Sequence, residues 1–186
     1  MSENSYDILE DEIRGRYASV VWSHKIQEKQ ADIYSTRYKH FETAKIVSAS
    51  LTSVGIVSLL FTDQLWIKIV SAVISFVSVF VSAYFKSFDL TTFTKAHKSS
   101  ANQLLRIRDK LQLLLVDVRA EFVPVKDVRS KYEELLNELH AIYDEAPNTT
   151  DKAVQQARKA LKITKDNSFT DDEIDSFLPK ELRKKR

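Results

Sequence analysis

Histidine, serine and carboxylate side chains are the residues of this sequence that could do chemistry, and their spacing decides how much. His24, His40, His97 and His140 are dispersed, with no second histidine or carboxylate at metal-ligand spacing that stands out. No metal is expected, and packing within helical stripes accounts for the imidazoles. No serine stands in a strained elbow or in ordered spacing with a histidine and an aspartate, so no nucleophile is expected. Two glycines, Gly15 and Gly55, cannot build a phosphate-cradling loop, which needs several close together so that backbone can approach phosphate. The absence of cysteine removes disulfide frameworks and thiolate zinc sites. The chain reads as a protein without cofactor and without enzymatic activity. Asn148-Thr149-Thr150 forms a glycosylation sequon, but the expected cytoplasmic placement leaves it as a loop and helix cap. The terminal KELRKKR run could touch anionic lipid; the acidic residues before it, including Asp171, Asp172, Glu173 and Asp175, argue against nucleic acid.

A more informative pattern is polar but uncharged. Ser71, Ser75, Ser78 and Ser82 are separated by four, three and four, so they share one narrow helical face, and Ala44, Ser48, Thr52, Gly55 and Ser58 form a comparable face. Small residues let helices approach closely, and their hydroxyls bond across the pair or back to the backbone. In an oligomer the same hydroxyls could instead line water and replace part of an ion's hydration shell. Both readings stand, although the absence of charge argues against a strongly selective filter or a proton relay.

These faces must be carried by elements of unusual composition. Between Ile46 and Phe85 only Asp63 and Lys68 are charged, and residues 46–62 and 69–85 are uncharged throughout. Seventeen helical residues reach roughly 25 Å, slightly short of a hydrocarbon core of about 30 Å. Leu65, Trp66 and Ile67 extend the second stretch, Lys68 can snorkel its ammonium outward, and Ala44 and Lys45 do the same for the first. The reading is a transmembrane hairpin over 46–62 and 65–85, with a soluble apolar core as the alternative. Lys29, Arg37, Lys39, Lys45, Lys86, Lys95 and Lys98 flank its open end, against Lys68 near the loop, which places both termini in the cytoplasm. Thr62, Asp63 and Gln64 then make a minimal outer turn.

The polar parts are helical too. Scarcity of glycine and proline favours long helices and an all-α chain. In the leading segment, 1–45, a stripe including Tyr6, Ile13, Val20, His24, Gln27 and Tyr34 recurs at spacings of three and four. Another, including His97, Ser100, Leu104, Ile107, Leu111 and Val118, runs from Leu90 until Pro124. Because one helix enters the membrane and the other leaves it after a tight turn, the two should pair antiparallel, with His97 near Tyr34 and His24 near Ile107. The polar seam positions His24, Gln27, His97 and Ser100 are candidate switch points, with register-setting the other explanation. A fold-back helix, with Val128, Tyr132, Leu135, Leu139 and Ile142 inward, completes 86–145. Over 146–186, Thr150 or Asp151 caps a helix to about Thr164, Thr170 and Glu173 make a capping box, and thin apolar content implies loose packing.

The tiny outer turn, the long leading helix and the segment Ala96-His97-Lys98-Ser99-Ser100-Ala101-Asn102-Gln103-Leu104-Leu105-Arg106-Ile107-Arg108-Asp109-Lys110 resemble the SLATT family over roughly residues 5–145; the Trp22, Lys25 and Glu28 region resembles that family's leading helix. SLATT proteins are two-span effectors associated with prokaryotic nucleotide-signalling systems. The resemblance implies a membrane effector of anti-phage or conflict systems that oligomerises and permeabilises the inner membrane. No nucleotidyltransferase, reverse transcriptase or nucleotide-sensing domain stands within these 186 residues, so the trigger is expected from a cytoplasmic partner or signal. The competing expectation is an anchored adaptor that recruits a partner through 125–186.

Overall fold

The computed structural model describes residues 3–59, 64–87, 89–166, 169–179 and 183. These form six α-helices in chain order: α1 (Glu3–Leu59), α2 (Leu65–Ser87), α3 (Leu90–Arg119), α4 (Val125–Glu145), α5 (Asp151–Lys162) and α6 (Asp171–Phe177). The all-α expectation holds. At roughly 1.5 Å per residue the 57 residues of α1 extend about 85 Å, the length of the molecule's backbone rod.

The polar end is a three-helix core. Ile13 and Val20 of α1 meet Leu104, Ile107, Leu111, Leu114 and Val118 of α3, and α4 folds back to add Val128, Tyr132, Leu135, Leu139 and Ile142. Leu104, Ile107, Leu111 and Leu139 are almost wholly removed from solvent, each worth about 1.5–3 kcal/mol of transfer free energy. The register of α1 against α3 follows the antiparallel expectation. The rings of Tyr34 and His97 lie 5.4 Å apart, and at the far end Tyr6 Oη donates to the Val123 carbonyl at 3.1 Å while Arg119 pairs with Glu10 at 2.8 Å.

Turns are made without glycine. Glu121 takes a left-handed φ of 50° between α3 and α4, and Pro124, at φ −55°, caps the start of α4. Asp89 begins α3 as its N-cap: its carboxylate accepts from Thr92 N at 2.9 Å and from the Thr92 hydroxyl, which holds the Asp89 pKa below the ordinary carboxylate value. Thr170 and Glu173 form the expected reciprocal capping box of α6. Within the segment after Pro147, α5 packs closely despite its sparse apolar content because it uses alanines: Ala153, Ala157 and Ala160 are buried along one face on α1, whereas α6 buries no residue. Side chains that small let backbones approach, so area per residue understates the fit.

The apolar stretches sit at the other end. Leu65–Tyr84 of α2 is long and apolar enough to cross a membrane, and only 6% of it is buried. The expected hairpin is met in part. The first apolar stretch appears as the continuation of α1 to Leu59; the rest of it, and Thr62 and Asp63 of the outer turn, lie outside the described residues. Among the described residues one helix, not two, qualifies as a span. Most of the basic tail also lies outside them.

Candidate functional site

Two constellations collect the polar side chains singled out by spacing. The first is a buried seam in the middle of α1. Because α1 is flanked by α3 on one side and by the α4–α5 linker and α5 on another, two successive helical turns can face both, and His24, Lys25, Gln27 and Gln30 are all buried.

Gln27 joins the two sides. Its Nε2 donates to the Pro147 carbonyl at 3.2 Å, and its Oε1 lies 2.6 Å from Nδ1 of His97. A carbonyl only accepts, so the amide nitrogen must face Pro147 and the amide oxygen must face the ring. His97 Nδ1 therefore carries the proton, and a neutral His97 has its lone pair on Nε2. Burial pushes the pKa of His97 below the ordinary 6.5, which favours that neutral form. Tyr34 stacks on Phe93 at 5.7 Å and leans on His97, closing the seam toward the membrane.

Gln30 holds the start of α5. Its Oε1 accepts from Thr150 N at 2.9 Å and from the Thr150 hydroxyl at 2.7 Å, so that hydroxyl does not cap its own helix. The far end of α5 is fastened by Lys25, whose buried ammonium lies 2.7 Å from Glu28 and 3.7 Å from Asp166. Lys165, at φ 51°, makes the reversal after α5, and Asp166 N closes it on the Ala160 carbonyl at 2.9 Å. A hydrogen bond from Thr164, helped by Lys25 and Lys29, holds the Asp166 carboxyl below its ordinary pKa. Pro147, Thr150 and Asp166 thus strap the linker and α5 to consecutive turns of α1.

Of the four predicted seam residues, the structure brings Gln27 and His97 into contact and buries His24 and Ser100 beside them. Ser100 Oγ donates back to the Ala96 carbonyl. His24 Nδ1 and Gln30 Nε2 are buried without a hydrogen-bond partner among the described residues. Burial is the main reason the His24 pKa is lowered, against an opposing pull from Glu28. Lys25, Gln30, Thr150 and Asp166 were not predicted as site residues. A lysine and a glutamine one position off an apolar stripe read as solvated, and the partners that tie them to α5, Asp166 and Thr150, are about 120 or more residues away in sequence.

The second constellation is the small-residue face of α1 and α2. A Cβ placed on Gly55 would lie 2.8 Å from Ser71 Oγ and 3.2 Å from Ser71 Cβ, so the helices touch where both side chains are minimal. Ser71 is buried, while Ser48, Thr52, Ser75 and Ser78 are half-buried and Ser82 is exposed. The Thr52 hydroxyl is satisfied within its helix by the Ser48 carbonyl at 2.9 Å. Around this contact the outward side chains are bare and apolar, including Val54, Ile56, Val73, Phe76, Val79 and Phe80. A protein core would cover them, and surface of this extent marks a membrane or partner contact.

Among the described residues no group of three or more His, Asp or Glu side chains could hold a metal ion. No curated protein and no solved structure matches the chain. The model of the SMODS and SLOG-associating 2TM effector domain family 4 matches residues 9–173, so this chain belongs to that SLATT family of membrane effectors, whose domains are not catalytic.

Proposed function

We propose that this protein is a two-span effector of prokaryotic antiviral defence that oligomerises in the inner membrane and permeabilises it on a cytoplasmic signal, arresting growth or killing the cell. The spans are 46–62 and 65–85, both termini are cytoplasmic, and the partner is a cytoplasmic sensor. The observation that carries this reading is the bare apolar surface around the Gly55–Ser71 contact, joined directly to a stalk with a buried polar seam. Family membership supports the effector role, and the family's association with SMODS and SLOG proteins supports a sensor outside this chain.

The mechanism follows from the two constellations. In the resting state the strap holds α5 and α3 on α1 and the serine faces pack. The signal binds better to a form in which this packing shifts, and a differential of a few kcal/mol suffices to change the major population. Ser48, Thr52, Ser71, Ser75, Ser78 and Ser82 then face water between subunits.

Purified full-length protein in liposomes, with and without candidate cytoplasmic partners, should release dye under the triggering condition. Absence of leakage and of cell depolarisation under every partner condition overturns the pore. That outcome favours the anchored adaptor reading, which has its own observation: α6 presents Ile174 and Phe177 to solvent beside a fully formed capping box, with Phe169 exposed just before it.

A further inference from the structure

The cytoplasmic side of α1 carries a second feature, next to the strap and nearer the bilayer. A cleft of about 240 Å³ opens between α1 and the first turns of α5, lined by Asp32, Ile33, Thr36, Arg37 and His40 of α1 and by Lys152 and Gln156 of α5. Elsewhere on the stalk some cations are paired, as in Lys25–Glu28, Lys110–Glu138 and Arg119–Glu10. Arg37, His40 and Lys152 have no hydrogen bond or ion pair among the described residues, and Asp32, the one carboxylate lining the cleft, is engaged by Lys29 at 3.4 Å. Two permanent positive charges therefore line one space that holds a single carboxylate, itself shared with Lys29.

The helix dipole adds to them. Thr150 bonds to Gln30 at the membrane-proximal end of the strap and Asp166 to Lys25 at the distal end, so α5 runs antiparallel to α1 with its positive N-terminus toward the bilayer. With the Thr150 hydroxyl turned to Gln30, the first turn of α5 has no side-chain cap hydrogen bond, and Asp151 is the one acidic side chain in that turn.

We propose that this cleft binds a phosphate group, held by the Arg37 guanidinium and the Lys152 ammonium with Thr36, His40 and Gln156 as hydrogen-bond donors, and that phosphate bound there ties α5 to α1. Tetrahedral anions suit a planar guanidinium beside a point ammonium, where each supplies charge-assisted donors to different oxygens. His40 and Arg37 lie about 9 and about 13 Å of helix rise before Ile46. A headgroup layer of roughly 5–7 Å brings a lipid phosphate to the mouth of the cleft, and a soluble phosphate enters from the aqueous side. The site does not depend on pore formation, so its failure and that of the effector reading are separately visible.

The test uses full-length protein in nanodiscs and hydrogen exchange of the α5 amides. In discs of phosphatidylcholine, whose phosphodiester is balanced by its own choline cation and leaves no net anionic headgroup, sodium pyrophosphate should slow that exchange about tenfold at ten times its dissociation constant. Sodium chloride at matched ionic strength should not. Slowing by pyrophosphate identifies a soluble ligand, whereas slowing only in discs containing phosphatidylglycerol identifies the lipid headgroup. Arg37→Gln with Lys152→Gln changes exposed side chains, leaves the helix content by circular dichroism intact, and should abolish either response. No slowing by either phosphate source, equal slowing by sodium chloride, or an unchanged response in the double variant overturns the proposal.

Discussion

Gln27 is the residue on which the stalk's two halves depend, since one amide serves His97 of α3 and the carbonyl of Pro147. Leucine at this position keeps the volume and orphans both partners. Gln27→Leu should cost about 1–3 kcal/mol for each buried group left unsatisfied, read as a lower midpoint of thermal unfolding. His97 and His24 make the same region pH-sensitive. Burial lowers both pKa values in the folded chain, so as pH falls below 6.5 the unfolded chain takes up protons first. Stability is complete above that value and is lost as pH falls through the folded-state values. Glu28, Lys25, Arg108 and Asp109 face His24, while Gln27 and Tyr34 face His97. Melting of the stalk between about pH 7.5 and about pH 5 should drop more steeply in the wild type than in a His24→Gln, His97→Gln variant.

At the scale of elements, the Gly55–Ser71 contact sets how closely α1 and α2 approach. Gly55→Val forces two methyl groups toward Ser71 and should loosen the pair by about 1–3 kcal/mol, seen as unfolding at a lower dodecyl sulfate fraction in mixed micelles; adding Ser71→Gly should restore part of it. Lys165→Gly should act the other way, raising the melting midpoint by relieving a left-handed backbone that favours glycine. The helices themselves were legible because their signals are periodic: the α1 and α3 stripes, the α4 face and the Thr170–Glu173 box are all local patterns, and the pairing of Tyr34 with His97 followed from counting outward from the two uncharged stretches. What stayed hidden was non-local or compositionally silent. Lys25 and Gln30 become buried because α5 returns to cover them, and alanines hide a packing face. The Glu121 and Lys165 reversals lack the glycine that would have announced them. Asp89, three residues before Thr92, was a readable cap signal.

For the whole molecule, the proposed assembly gives the serine faces two distinguishable roles. If Ser71, Ser75, Ser78 and Ser82 line water in the open oligomer, their joint replacement by alanine should change single-channel conductance in planar bilayers. If they only pack, the same variant should alter the detergent stability of the assembly and leave conductance per open unit as it was. The connectivity of the rods also bears on how motion would spread. α1 passes from stalk into the apolar region without interruption, whereas its neighbour is divided at Asp89 into α2 and α3. A continuous shaft transmits torque and axial thrust along its length; a jointed one absorbs them at the joint. A twist applied near Gln27 would therefore arrive at Gly55 through α1 as rotation, with the articulation at Asp89 giving way, and the two sides of the hairpin would slide past each other instead of turning together.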